Sequence, residues 1–148
     1  MKLKLMLDTN VLARICHPTQ FREVQDWFRK LLEQGRSAPE LLVSVLADYE
    51  LRRKLQDLHA AESLLHLDTL ARSLRYVPVT AETSRRAAEL RESLSSELAG
   101  SGLSDADLLI AAQAAIEDAV LVTSNAALRH VPNVSVKDWS ELSLVPAR

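Results

Sequence analysis

The chain has 148 residues, a length that predicts a single domain spanning 1–148. About 47% of the residues are hydrophobic, with only three glycines and five prolines, which excludes a disordered or low-complexity chain. The formal net charge of −2 gives no overall preference for nucleic acid, so binding of that kind would need a local basic patch.

In chain order, the hydrophobic pattern predicts strands that alternate with helices. A strand over 3–7 is followed by a helix over about 20–34, in which apolar residues recur every three or four positions and which Gly35 ends. The remaining predicted elements are a strand over 41–44, helices over 45–57 and 60–74, a strand at 76–77, a helix after Thr80 to about 94, a loop over 95–103, a helix over 104–117, and strands over 119–122 and 134–136.

This alternation predicts an α/β fold with a parallel sheet. In such sheets, ligands bind beyond the carboxyl ends of the strands, near the point where the strand order reverses. Polar residues that directly follow strands are therefore the first candidates for a functional site.

The chain carries no feature of secretion or membrane insertion. Residues 1–7 resemble the start of a signal peptide, but Asp8 and Asn10 end the apolar run too early, and no stretch approaches the ~18 residues of a membrane span. The single cysteine, Cys16, cannot form an internal disulfide, and we expect it to be a buried filler rather than a nucleophile activated by His17. We therefore expect a cytoplasmic protein.

Asp8 follows the first predicted strand directly. In one interpretation it lies at the carboxyl end of that strand and points into the ligand-binding crevice. In the other it caps a helix that begins at Thr9 or Asn10, since aspartate is a preferred N-cap residue. The residue by itself favours neither interpretation.

Glu50 lies in the helix after the second predicted strand, one turn beyond Leu46, so it can point inward with that leucine. Alternatively it is a solvated residue paired with Lys54 at i+4, and for Glu50 alone this second interpretation is the stronger. Asp48 is a local rival with Arg52 at i+4, and its solvated interpretation is stronger still.

Asp105 and Asp107 open the most apolar predicted helix. Two positions are about 200° apart around a helix, so the two carboxylates cannot comfortably face one site. Asp107 precedes a long buried run, so its carboxylate needs a partner such as a metal ion. It also fits a capping box in which Ser104 is the N-cap.

Asn125 ends a polar run, Thr123-Ser124-Asn125, that follows the strand over 119–122. Asn125 either orients a metal-bound water or is an ordinary cap, and for Asn125 alone the cap is favoured. Taken together, however, acids or amides follow the first and second strands, open the helix before the fourth strand, and follow the fourth strand. Oxygen donors converging in one crevice suit Mg²⁺ or Mn²⁺, and close carboxylates repel each other without a cation. Such a site supports phosphodiester hydrolysis.

The sequence resembles the PIN-domain ribonucleases over nearly its whole length, and within them the VapC-type toxins of toxin–antitoxin pairs. Four blocks carry the resemblance, namely LDTNVL from Leu7, SVL from Ser44 with YEL around Glu50, DLLIAAQA from Asp107, and LVTSN from Leu121 with VKDW from Val136. The first and third blocks are specific in combination.

The resemblance implies a three-layer PIN-like fold with a five-stranded parallel sheet, in which Asp8, Glu50 and Asp107 bind Mg²⁺ or Mn²⁺. It selects Asp107 over Asp105 because the family's acid stands three residues before the Ile-Ala-Ala run. It also implies a homodimer, a cognate antitoxin and a structured RNA substrate such as transfer RNA. Asn125 departs from the acid that many members carry, which favours a one-metal site.

Several further side chains are candidates for substrate contact. They are Thr9, Asn10, Arg14, Arg53, Thr123 and Ser124, with Arg52, Lys54, Arg129 and His130 as additional cations. For each cation, a solvated surface position is the favoured alternative.

Other functional classes stay open or are excluded by particular residues. A haloacid-dehalogenase-type phosphatase needs a second acid two positions after Asp8, where this chain has Asn10. A PIN fold with a degraded site, acting as an RNA- or protein-binding scaffold, is the alternative that Asn125 suggests. A PIN nuclease of RNA maturation is the second alternative.

Overall fold

The structure is a computed structural model that describes residues 2–94 and 102–142. Its strands are β1 (Lys4–Leu7), β2 (Glu40–Ser44), β3 (Arg75–Val77), β4 (Val120–Val122) and β5 (Val136–Lys137). The described helices are α1 (Thr9–Ile15), α2 (Arg22–Glu33), α3 (Val45–Asp57), α4 (Ala61–Leu70), α5 (Ala81–Ser93) and α6 (Asp105–Ile116).

The five strands form one sheet in the order β3-β2-β1-β4-β5, and every pairing is parallel. Leu7 pairs with both Val43 and Val122, so the chain leaves β1, β2 and β4 at the same edge. Asp8 therefore emerges level with Ser44 on one side and Thr123 on the other.

The sheet is covered on both faces, as its apolar strands require. Because successive strand residues point to opposite faces, Met6 belongs to one hydrophobic cluster and its neighbours Leu5 and Leu7 to the other. The first cluster includes side chains from α3, α4, α5 and α6, whereas the second is formed largely with α2. The predicted three-layer α/β fold with a five-stranded parallel sheet is confirmed.

The elements differ from the sequence predictions mainly at their boundaries. The helix predicted over 60–74 ends at Leu70 and continues as one 3₁₀ turn, Ala71–Ser73. The last strand is shifted from 134–136 to Val136–Lys137, because it is only two residues long and is positioned by β4. The loop predicted over 95–103 lies mostly outside the described residues.

Cys16 has the inert environment predicted for it. The side chain is buried, and burial, followed by the charge of Asp48, raises the pKa of the thiol to about 12. The Nδ1 atom of His17 accepts backbone hydrogen bonds from Thr19 and Gln20 instead of activating Cys16. In the part of the chain that the structure describes, no helix is both long and apolar enough to cross a bilayer.

Candidate metal centre

The candidate site lies where the strand order reverses. From β1 the chain proceeds outward through β2 and β3, then returns to place β4 and β5 on the opposite side of β1. In parallel sheets, such a reversal of strand order is where a ligand crevice forms beyond the carboxyl ends of the strands. The polar residues that follow β1 and β4 lie at this point and bond to one another.

Asp8 is buried at the end of β1, and the N-cap role that its position suggests is observed. It is the N-cap of α1, with Oδ1 accepting from the Thr9 amide at 2.8 Å. Its Oδ2 accepts from the Thr123 hydroxyl at 2.7 Å. Burial raises the pKa of Asp8, the hydrogen bonds from Thr123 and Thr9 lower it, and the charge of Asp107 raises it further.

Glu50 is half-buried on α3, near enough to Asp8 and Asp107 for their charges to act on it. Its pKa is raised by partial burial and then by repulsion from Asp107 and Asp8, while Thr9 and Arg53 act in the opposite direction. Among the described residues, Lys54 is not within ion-pair distance of Glu50, so the solvated pair does not form. The mutual repulsion shows that Asp8, Glu50 and Asp107 are electrostatic neighbours.

Asp107 occupies the third position of α6. Its Oδ2 accepts from the Ser104 amide at 2.9 Å, and its own amide donates to the Ser104 hydroxyl at 3.1 Å, which completes the capping box. Asp107 is half-buried and acts on both Asp8 and Glu50, whereas Asp105 is exposed. The capping box is therefore observed, and Asp107 is also an acid whose charge acts on Asp8 and Glu50.

Thr123 connects the loops after β1 and β4. Its hydroxyl donates to Asp8 and accepts from the Asn10 side-chain amide at 3.2 Å and from the Asn125 backbone amide at 3.0 Å. The Oδ1 atom of Asn10 in turn accepts from the Ser124 amide at 3.2 Å.

This arrangement corrects the expectation that Thr123 contacts substrate. The side chain is 2% exposed and its one donor and two acceptor positions are filled, so it holds the Asp8 carboxylate instead. Sequence reasoning missed this role, although a threonine directly after the strand beside β1 was the available signal.

Asn125 is the N-cap of a 3₁₀ turn, Ala126–His130, with Oδ1 accepting from the Ala127 amide at 3.1 Å. Its oxygen is therefore engaged as a cap, the alternative that the sequence favoured. Among the described residues, the side-chain NH₂ group of Asn125 has no hydrogen-bond partner. Asn125 therefore retains the NH₂ group and a second acceptor position on Oδ1 for a water in the crevice.

The candidate cations divide into engaged and available groups. Arg52 pairs with Asp48 at 3.0 Å and with Asp68 at 2.8 Å, and Arg129 pairs with Glu141. Arg14, in the last turn of α1, lies over the Phe21 ring with 5.4 Å to the centroid.

Arg53 and Lys54 are exposed and form no ion pair within residues 2–94 and 102–142. The cations available beside the acids are therefore on α3.

The donors of the crevice fit a hard divalent cation in kind, because they are carboxylate and hydroxyl oxygens. The Thr9 hydroxyl supports this, since it is buried beside Glu50 without a hydrogen-bond partner of ordinary geometry. Within the described ranges, however, no three His, Cys, Asp or Glu side chains lie close enough to hold one ion as they stand. Binding one ion through all three acids therefore requires their side chains to move closer together.

Comparison with known proteins agrees with this fold and crevice. A family model described as the PIN domain matches residues 5–134, and the chain therefore belongs to the PIN domain family. The membership predicted from the sequence is confirmed. No curated protein sequence matches the chain significantly.

Solved structures of VapC-type proteins share the fold. A chain of the VapBC2 complex of Rickettsia felis bound to promoter DNA is 26% identical, with a TM-score of 0.74 over 93% of this chain and 99% of that chain. A chain of VapBC from Salmonella typhimurium is 23% identical, with a TM-score of 0.71 over 93% and 98%. VapC20 of Mycobacterium tuberculosis, a toxin that cleaves the sarcin-ricin loop, is 14% identical with a TM-score of 0.66 over 90% and 98%.

Proposed function

We propose that this protein is a metal-dependent endoribonuclease and the toxin of a toxin–antitoxin pair. The observation that carries the proposal is that Asp8, Glu50 and Asp107, from three separate elements, lie near enough for their charges to repel one another. A protein gains nothing in stability from such an arrangement, whereas a bound cation turns the repulsion into attraction. The likeness to VapBC complexes supports the same function.

In this proposal, Asp8, Glu50 and Asp107 hold Mg²⁺ or Mn²⁺, which activates water and neutralises charge on the phosphate. Thr123 fixes the Asp8 carboxylate, and Asn125 orients the attacking water through its free NH₂ group. Thr9, Asn10 and Ser124 border the crevice where the RNA backbone lies, and Arg14 and Arg53 are the proposed phosphate contacts. Transfer RNA is a candidate substrate.

The partners follow from the same resemblance. The similar chains from Rickettsia felis and Salmonella typhimurium were solved in VapBC complexes. We therefore propose that this protein has a cognate antitoxin. We also propose that the protein itself is a homodimer that acts in the cytoplasm. A small DNA-binding protein encoded directly upstream would support the toxin role over one in RNA maturation.

The test is cleavage of a total small-RNA pool by pure, antitoxin-free protein in EDTA, Mg²⁺ or Mn²⁺. We expect cutting only with metal, and a loss on the order of 100-fold or more in Asp107→Asn, because one ligand carboxylate becomes neutral. The asparagine oxygen can still accept from Ser104, so the helix cap is retained.

Asp105→Asn is the matched control, because it removes a carboxylate from the same turn of α6 but from an exposed position. It should cut like wild type. Equal losses in both variants would contradict the assignment of Asp107. Absence of cutting together with no Mn²⁺-induced rise in Tm would instead support the scaffold alternative.

A further inference from the structure

Tyr49 is an exposed aromatic side chain that the fold does not use. It is 62% exposed, more than any other aromatic residue of the chain, and its hydroxyl bonds to no described residue. The other tyrosine, Tyr76, donates to Asp48 at 2.6 Å and is half-buried. A large exposed ring on a rigid helix is suited to an external partner rather than to the core.

The position of Tyr49 places it next to the acidic crevice. At 100° per residue, Arg53 lies about 60° around α3 from Glu50, and Tyr49 lies about 40° beyond Arg53. Ala47 and Leu51, on the other side of α3, are buried in the core. The outward face of α3 therefore passes from the metal-binding acid to a cation and then to an aromatic ring.

The charges along this face fit a polyanion. Arg53 acts electrostatically on Glu50 and is not neutralised by an ion pair with another described residue. Lys54 is also unpaired among the described residues, but it lies about 40° on the other side of Glu50. Arg52 lies about 60° from Tyr49, on the side away from Arg53, and is engaged by Asp48 and Asp68. Cations left free beside an acidic crevice favour an RNA strand over an apolar peptide as the occupant.

We propose that Tyr49 is a stacking platform for an unpaired base of the RNA, adjacent to the nucleotide whose phosphate is at the metal centre, with Arg53 contacting the phosphate between them. This rests on the proposed ribonuclease function and adds the mode of substrate recognition. A ring accepts any base face, so Tyr49 selects unpaired RNA over duplex rather than one sequence.

The test is binding of 5′-fluorescein-labelled 12-nucleotide oligoadenylate to the full chain, measured by fluorescence anisotropy in EDTA so that no cleavage occurs. Tyr49→Ala should weaken binding about 5- to 100-fold, the range for loss of one base stack. Tyr49→Phe should bind within about twofold of wild type, and Tyr49→Leu should behave like Tyr49→Ala. Leu65→Ala, at an equally exposed position on α4, is the control for loss of surface area.

Salt dependence separates stacking from charge. Arg53→Ala should reduce the slope of log Kd against log salt concentration by about 0.7, the value for one phosphate contact on a single strand. Tyr49→Ala should leave that slope unchanged while shifting the whole line. A change of slope in Tyr49→Ala would mean that the ring acts by positioning the cation, and would overturn the platform.

The remaining outcomes are also decisive. If Tyr49→Ala or Tyr49→Leu binds like wild type, or if Tyr49→Ala changes the molecular mass in sedimentation, the α3 face is not an RNA platform and the inference is wrong. In any of these cases, metal-dependent cleavage of the RNA pool by wild-type protein would still support the proposed ribonuclease function, without the Tyr49 platform. If wild type neither cuts nor binds RNA, the proposed function itself fails.

Discussion

Thr123 is the residue on which the geometry of the proposed metal centre depends most directly. Its hydroxyl donates to the buried Asp8 carboxylate at 2.7 Å, closer than the Asn10 side-chain amide at 3.5 Å, and the same oxygen accepts bonds from Asn10 and Asn125. Because its hydrogen bond favours the ionised carboxylate, Thr123 offsets part of the pKa increase that burial imposes on Asp8. It keeps a buried acid available for a cation.

Thr123→Val should therefore raise the pKa of Asp8 further, because an isosteric methyl group replaces the donor. A cation binds the ionised carboxylate, so the acid limb of the pH profile for cleavage, and for the Mn²⁺-induced rise in Tm, should move to higher pH. The free energy of unfolding should fall by about 1–3 kcal/mol, the cost of a lost hydrogen bond to a buried charged group.

Thr123→Ser is the matched control, since it retains the hydroxyl and should keep the wild-type pH profile. An unchanged acid limb in Thr123→Val would show that Thr123 does not control the ionisation of Asp8. A shift of equal size in Thr123→Ser would assign the effect to packing by the threonine methyl group.

Among the secondary-structure elements, β3 and α6 are joined by a buried side chain. Gln113 of α6 is 1% exposed, and its Nε2 donates to the carbonyl oxygens of Val77 at 3.0 Å and Pro78 at 3.1 Å. It thereby satisfies two carbonyls at the end of β3, just before α5 begins. Its own Oε1 is buried without a partner among the described residues.

Gln113→Met should reduce the free energy of unfolding by about 1–3 kcal/mol, because the two carbonyls lose their donor inside the protein. Gln113→Glu should cost more at neutral pH, since a buried carboxylate would face two carbonyl oxygens. Urea denaturation measures both, with Gln56→Met at an exposed position of α3 as the control. Equal stability of the three variants would mean that these hydrogen bonds contribute nothing net.

For the molecule as a whole, the two edges of the sheet carry opposite electrostatic arrangements. Acids at the carboxyl edge repel each other, whereas charges at the amino edge are paired. Arg75 of β3 bonds to Glu40 of β2 at 2.6 Å and to Glu117, after α6, at 2.7 Å, and Lys4 of β1 lies 3.6 Å from Glu117. The ion pairs at the amino ends of the strands link β1, β2 and β3 to the end of α6. The acids at the carboxyl ends are the ones proposed to bind a cation.

Arg75→Met should lower Tm at neutral pH by roughly 1–3 °C, consistent with the modest stabilisation by partly exposed ion pairs. The hydrogen bond from Arg75, with Lys4 also contributing, lowers the pKa of Glu117. The stabilisation from the Arg75–Glu117 pair is therefore present above the unfolded-state pKa of Glu117, about 4.3, and is lost as pH falls through the lower folded-state pKa. The Tm difference between variant and wild type should shrink below about pH 4.

Arg29→Met is the control for charge removal, because Arg29 pairs only with Asp26 and Glu33 of its own helix among the described residues. It should change Tm little at either pH. A Tm difference for Arg75→Met that stays constant down to pH 3 would show that Glu117 is not the partner responsible.

Much of the fold was predictable because its signals are local. The helix predicted over 45–57 is α3 with the same bounds, since Ser44 caps it where the apolar strand ends. The helix α1 was anticipated only as an alternative role for Asp8, because seven residues give too little periodicity to stand out. The order of the strands along the sheet is a non-local property that no single segment specifies.

By itself, the sequence determined the alternation of strands and helices, the family and the three candidate acids, because strand ends, caps and short motifs are encoded by neighbouring residues. Only the tertiary structure decided which polar groups meet. It placed Asp107 near enough to Asp8 to raise the pKa of that acid, and it turned the Thr123 hydroxyl inward to Asp8. The physical reason is that parallel pairing of β1 with β4 joins residues 115 positions apart, and the burial that follows controls their hydrogen bonds and ionisation.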